Sequence, residues 1–173
     1  MAQEQAEEAL REKHIRVLGD ALGPIFHALY EEVVWLHAKW LEYRKLYAHS
    51  PERIKLLNDQ AQFFFRILQD VLWNDVLLHI ARLTDRPVSW QSANATLQAL
   101  GPRIADEALR SNVTSLVQRA IEASSFAKQW RDKRFAHLDF DEATRESTTL
   151  LPPVSRQNVE DALLAIREVM NAV

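Results

Sequence analysis

The chain has no cysteine, which removes disulfides, thiolate metal sites and thiol nucleophiles from consideration. It has three glycines in 173 residues. So few glycines leave little material for tight turns, and long helices are expected. The same scarcity excludes phosphate-binding loops, dinucleotide fingerprints and the nucleophile elbow, all of which need glycine where backbone approaches a ligand. No apolar run approaches the roughly 18 residues that a membrane span requires. The opening stretch from Met1 to Glu8 is polar and acidic, unlike a signal or transit peptide. A soluble, cytoplasmic protein without membrane contact is therefore expected. A formal charge of -3 and a pI near 6.1 give no global field for nucleic acid, so such a contact needs a local cationic patch. No Glu is followed by His three residues later, the pattern a di-metal carboxylate bundle requires, and no metal or cofactor is expected. His14, His27, His37, His49 and His79 stand singly and read as core or surface residues.

What is present is helical period. The length fits one domain over residues 1–173 with a proper core. Leu10, Val17, Leu18 and Leu22 mark an amphipathic helix from about Glu4, with a break or kink expected at Gly23-Pro24 because proline suits the first position of a new helix. The stripe Ile25, Leu29, Val33, Leu36, Trp40, Tyr43, Tyr47 then steps by fours and threes, and Phe26, Tyr30, Val34, His37 and Leu41 widen it. Ser50-Pro51 is a stop and a fresh N-cap. The next helix, about Glu52 to Leu83, is apolar nearly all round between Phe63 and Ala81, the pattern of a central member touched from several sides.

A short helix is expected at about Ala93 to Leu100, closed by Gly101-Pro102. A long one follows from about Arg103, carrying Leu109, Val113, Leu116, Ala120, Ala123 and Ala127 on one stripe. Residues Asp139 to Arg156 read as a long loop, of a size usually functional or disordered. A closing helix at about Asn158 to Asn171 carries Val159, Leu163, Ile166 and Met170. No strand is predicted. The expected fold is an all-α, up-and-down helical bundle with a long loop before the C-terminal helix.

Chemistry concentrates between Lys128 and Asp139. Four of the seven residues from Lys128 to Arg134 are basic, Asp132 follows Arg131, and His137 lies further on. Continued at helical spacing, the core-facing stripe runs into this cluster, so it sits on or beside the buried side. On a helix His137 lies about 120° around from Arg131 and about 60° from Arg134, with the Arg131 and His137 Cα atoms roughly 10 Å apart. A long guanidinium side chain covers that distance. Two readings are open: a phosphodiester site, or charges that close one end of the bundle by pairing with Asp75, Asp85 or Asp139. Arg82 and Asp85 read as a helix-end salt bridge, and Trp73 and Trp130 as core or dimer contacts.

The segment Arg131-Asp132-Lys133-Arg134-Phe135-Ala136-His137 resembles the signature of the HEPN superfamily, an Arg followed after four to six residues by a His, often with a polar residue directly after the Arg. Arg44 to His49 matches the spacing as well, but Lys45 stands where the polar residue is expected. The order of Phe64 to Asp75, Ile80 to Asp85, Arg131 to Asp139 and Pro153-Val154-Ser155 is similar to the abortive-infection AbiU-type branch. The resemblance covers the chain from about Tyr43 onward. It implies a HEPN-like bundle that forms a homodimer, with the Arg and His of two protomers at one cleft, and an antitoxin or other protein as a further partner. Catalytic relatives are metal-independent endoribonucleases of toxin and phage-defence systems, while other members are binding modules for protein or nucleotide. For RNA as substrate, Arg131 would hold the scissile phosphate and His137 would be general acid or base. Asp132 would orient, and Lys128, Lys133 and Arg134 would add phosphate contacts.

Overall fold

The computed structural model of the protein describes residues 2–89, 92–132 and 153–173. It is an all-α bundle, as the helical periods predict. Helix α1 (Ala2–Tyr47) and helix α2 (Pro51–Leu83) pack along each other. A two-residue antiparallel ladder follows, β1 (Val88–Ser89) with β2 (Ser92–Ala93). Two residues are too few to carry an alternating period, so this ladder is not legible in the residue pattern. Two 3₁₀ turns, Leu97–Ala99 and Gly101–Arg103, replace the short helix expected at Ala93 to Leu100. Helix α3 (Glu107–Ala123), helix α4 (Ser125–Trp130) and helix α5 (Arg156–Ala172) are the remaining helices among the described residues. The predicted long helix from Arg103 is thus two, interrupted at the buried Ser124. Helix α3 packs on α5, and α4 on α2. Among the described residues no helix is long and apolar enough to cross a membrane.

Side-chain oxygens fix three of the helix starts. Ser50 accepts from the Arg53 N–H, with Pro51 opening α2. Asp106 accepts from the Leu109 N–H at 2.7 Å. Ser155 and Asn158 cap each other reciprocally at the start of α5. Each cap satisfies donors that the first helical turn cannot pair internally.

The main stripes are buried as read. Leu29, Val33, Leu36, Trp40 and Tyr43 meet Val76, Leu77 and Ile80 of α2, Val113 and Ala120 of α3, and Val159, Leu163, Ile166 and Met170 of α5 in one core. Trp40 lies stacked on Tyr43, and Trp73 tilts against both. Trp73 is therefore part of the aromatic packing between α1 and α2.

Three expectations fail. The chain does not break at Gly23-Pro24; helix continues through Pro24, and the break is at Gly19, whose φ of 80° is the left-handed conformation. Secondly, α2 is not enclosed along its length. Leu56, Phe63, Phe64, Ile67 and Val71 are all more than half exposed, and α2 bends at Ala61. Phe64 meets the edge of Phe65, and among the described residues no part of the core covers these apolar side chains. Thirdly, Tyr30, Val34 and Leu41 lie exposed beside the α1 stripe, because the core occupies a narrower arc than the row of apolar residues suggests.

Candidate functional site

Arg131 follows directly on the last residue of α4, and the packing of α4 on α2 brings it to the end of α2. Its Nη1 donates to Asp85 Oδ2 at 2.5 Å, across 46 residues of sequence. Its Nε donates to Asp132 Oδ1 at 2.8 Å, and Nη2 lies 2.7 Å from the same oxygen. The guanidinium is about one-fifth exposed. Burial works against its charge, but the hydrogen bonds it donates to Asp132 and Asp85 outweigh this and hold the Arg131 pKa above the ordinary value. These contacts occupy three of the five N–H groups of a guanidinium.

Asp85 also lines a cleft of about 480 Å³ between α1, the end of α2 and the strand ladder. Glu31 and Glu32 of α1, Arg82 of α2 and Asn94 are its other polar walls. The cleft is the outlet of a polar strip along the α1–α2 seam. Lys39 pairs with Asp75 at 2.6 Å, and Glu32 reaches both His79 and Arg82, at 2.5 and 3.5 Å. His79 is buried, and Glu32 touches its Nε2 without the linear geometry of a hydrogen bond. Burial lowers the His79 pKa; Glu32 opposes this, while Lys39 and Arg82 reinforce it.

Of the residues singled out by sequence, Arg131 and Asp132 are together on Asp85, and Lys128 is exposed on α4 one turn before them. His137, Lys133 and Arg134 lie outside the described residues, as does most of the loop from Asp139 to Arg156. Asp75 pairs with Lys39 rather than with the Arg131 cluster. Arg82 and Asp85 do not pair with each other, since Arg82 turns to Glu32 and Asp85 to Arg131. The second spacing match is at the opposite end of α1. There Arg44 pairs with Glu160, and His49 is exposed in the turn before α2.

The histidines are not all solitary. His14 Nδ1 lies 3.1 Å from His27 Nδ1, and His27 Nε2 lies 3.5 Å from Glu31. The grouping of Glu32, His79 and Arg82 was also missed. Its available signal was the spacing Asp75, His79, Arg82, a polar strip along one face of an otherwise apolar helix. The Arg131–Asp85 pair is one of the three pairings expected if these charges close an end of the bundle. Among the described residues no three His, Cys, Asp or Glu side chains come together as a metal site.

Residues 19–173 match the HEPN family model described as AbiU2. The match covers everything after the first turn of direction in α1 and leaves residues before Gly19 outside it. No curated protein and no solved structure matches the chain.

Proposed function

Because the chain belongs to the AbiU2 family of HEPN proteins, we propose that it is a metal-independent endoribonuclease of a phage-defence or toxin–antitoxin system. The observation that carries the proposal is the guanidinium of Arg131, fixed by Asp85, which is itself a wall of the cleft. Asp85 and Asp132 hold it in one orientation and, among the described residues, leave two N–H groups for a phosphate. In the reaction the ribose 2′-OH attacks the adjacent phosphorus and the bond from phosphorus to the 5′ oxygen breaks. Arg131 stabilises the charge that gathers on the phosphoryl oxygens. His137 takes the 2′-OH proton or supplies one to the leaving oxygen. Asp132 keeps the Arg131 fork in plane. Lys128, Lys133 and Arg134 extend the cationic track, so binding weakens with salt.

The experiment is incubation of the purified protein with single-stranded and structured RNA in EDTA, beside Arg131→Ala and His137→Ala. Cleavage by the wild type alone, leaving 2′,3′-cyclic phosphate ends, is the expected result. Absence of cleavage from all three, with unchanged folding, removes the enzymatic reading.

One observation favours a second reading, a non-catalytic module that binds protein or nucleotide. Two carboxylates face the single guanidinium of Arg131, and Glu31, Glu32 and Asp85 outnumber Arg82 in the cleft. That local charge opposes a polyanion unless Lys128, Lys133 and Arg134 offset it.

A homodimer belongs to the same proposal, and an antitoxin-like protein would be a further partner. Support for self-association comes from the bare face of α2. Phe63 is 84% exposed, with Leu56, Phe64, Ile67 and Val71 beside it. Together these side chains offer on the order of 500 Å² of apolar surface, the upper end of what a monomer leaves uncovered.

A further inference from the structure

The first limb of α1, residues 2–18, doubles back on the second. In a continuous helix His14 and His27 would be about 20 Å apart. Instead their Nδ1 atoms are 3.1 Å apart, and the His14 ring packs edge-on to Phe26 and Tyr30 at 5.1 and 5.2 Å. Gly19 makes the reversal at positive φ, and Gly23 lets the limbs touch. A Cβ on Gly23 would lie 2.5 Å from the Ile15 Cα.

A contact between two Nδ1 atoms needs one N–H and one lone pair. Two neutral imidazoles supply that, and so does one charged ring beside one neutral ring. Two charged rings set N–H against N–H and cation against cation. We propose that the first limb of α1 is a proton-released cover, clasped by His14 on His27 while the pair holds at most one charge and let go when it takes the second.

On the far side of His27, Glu31 lies 3.5 Å from Nε2. His14 has no such carboxylate among its described neighbours. Lys13 precedes it on its own limb, while Tyr30 and His37 of the second limb and Arg167 of α5 line the groove beside it. His37 Nδ1 is engaged by the Val33 carbonyl at 2.9 Å. Burial, the neighbouring His27 and Lys13 all lower the His14 pKa. A histidine pKa lowered in the docked state gives docking that is at full strength above the ordinary value and weakens as pH falls through it. Release takes the His14 ring off Phe26 and Tyr30 and removes one wall of the groove that Val33 and Met170 also line.

The test is amide hydrogen exchange of the full chain at about pH 7.5 and about pH 5, corrected for intrinsic rates, with peptides read from each helix. In the wild type, protection of residues 2–18 is expected to fall by about tenfold or more at the lower pH, while α3 and α5 stay protected. His14→Phe keeps a ring against Phe26 and Tyr30, and His14→Gln keeps a neutral partner for His27. At least one of the two is expected to remain protected at both pH values. Protection in the wild type that is the same at both pH values overturns the proposal. So does acid loss in both variants, or loss in both already at the higher pH, since charge would then not be what governs docking.

Discussion

Gly19 and Gly23 divide between them the work that the sequence pattern assigned to Gly23-Pro24. A reversal of direction needs a residue at positive φ, and proline is locked at negative φ. Pro24 falls in the early turns of the second limb, where its missing N–H forfeits at most one helical hydrogen bond. The requirement at Gly23 is of a different kind, a close approach of backbone to the Ile15 Cα. A methyl there meets main chain, which has little freedom to move aside. Gly23→Ala is accordingly expected to lift the first limb and destabilise the chain by about 1–3 kcal/mol, the usual range for overpacking. Chemical denaturation measures the loss, and Ala21→Gly, at an exposed site on the same limb, controls for helix propensity. Neither role is readable from a glycine's neighbours in sequence, because both depend on where the chain goes next.

At the scale of elements, stripes were legible and partners were not. Leu29 to Tyr43 and Val159 to Met170 repeat at helical spacing because each faces the same core throughout its length. Arg131–Asp85 is one of three pairings that the charge pattern leaves open, whereas Glu32–His79 joins residues far apart with nothing local to announce it. Period also says which face is apolar without saying whether anything covers it, which is why the first half of α2 was read as central. The α1–α2 seam has a consequence for pH. The His79 pKa is lowered by burial, with Glu32 pulling it back up. The contribution of a neutral buried His79 is therefore complete above the ordinary histidine pKa and is lost as pH falls through it toward the lowered value. Glu32→Gln removes the opposing carboxylate, so the His79 pKa is expected to fall further and the window of acid loss to widen. The charge-to-amide change also leaves Arg82 without its carboxylate and, for so exposed a pair, is expected to cost no more than about 1 kcal/mol near neutral pH. NMR titration of the His79 ring checks the first effect and thermal denaturation the second. A His79 pKa unchanged in the variant would contradict the assignment.

For the whole molecule, the telling contrast lies between the two halves of α2. Val76, Leu77, Ile80 and Leu83 are buried, and between Pro51 and Val71 no residue is. Solvated helices do not normally carry Phe63, Ile67 and Val71 at successive four-residue steps on an open face. A second copy of the chain fits this face. The stripe is symmetric about Ile67, so two α2 helices crossing there would bring Phe63 of each toward Val71 of the other, the self-complementary arrangement that a two-fold axis requires. The apolar area estimated above is somewhat less than the roughly 800 Å² per partner of a standard interface, and flanking polar residues such as Arg66 and Asp70 would form the rim. Phe63→Asp with Ile67→Asp is expected to convert a dimer to a monomer, read by sedimentation equilibrium, with the melting transition of the isolated fold little changed because neither side chain touches the core. Ribonuclease activity separates the roles of the two surfaces. If both protomers contribute to one cleft, the monomeric variant loses cleavage while the Arg131–Asp85 pair stays intact. A wild type that is monomeric at all accessible concentrations would leave the apolar face of α2 to another partner and remove the two-protomer cleft from the proposed mechanism.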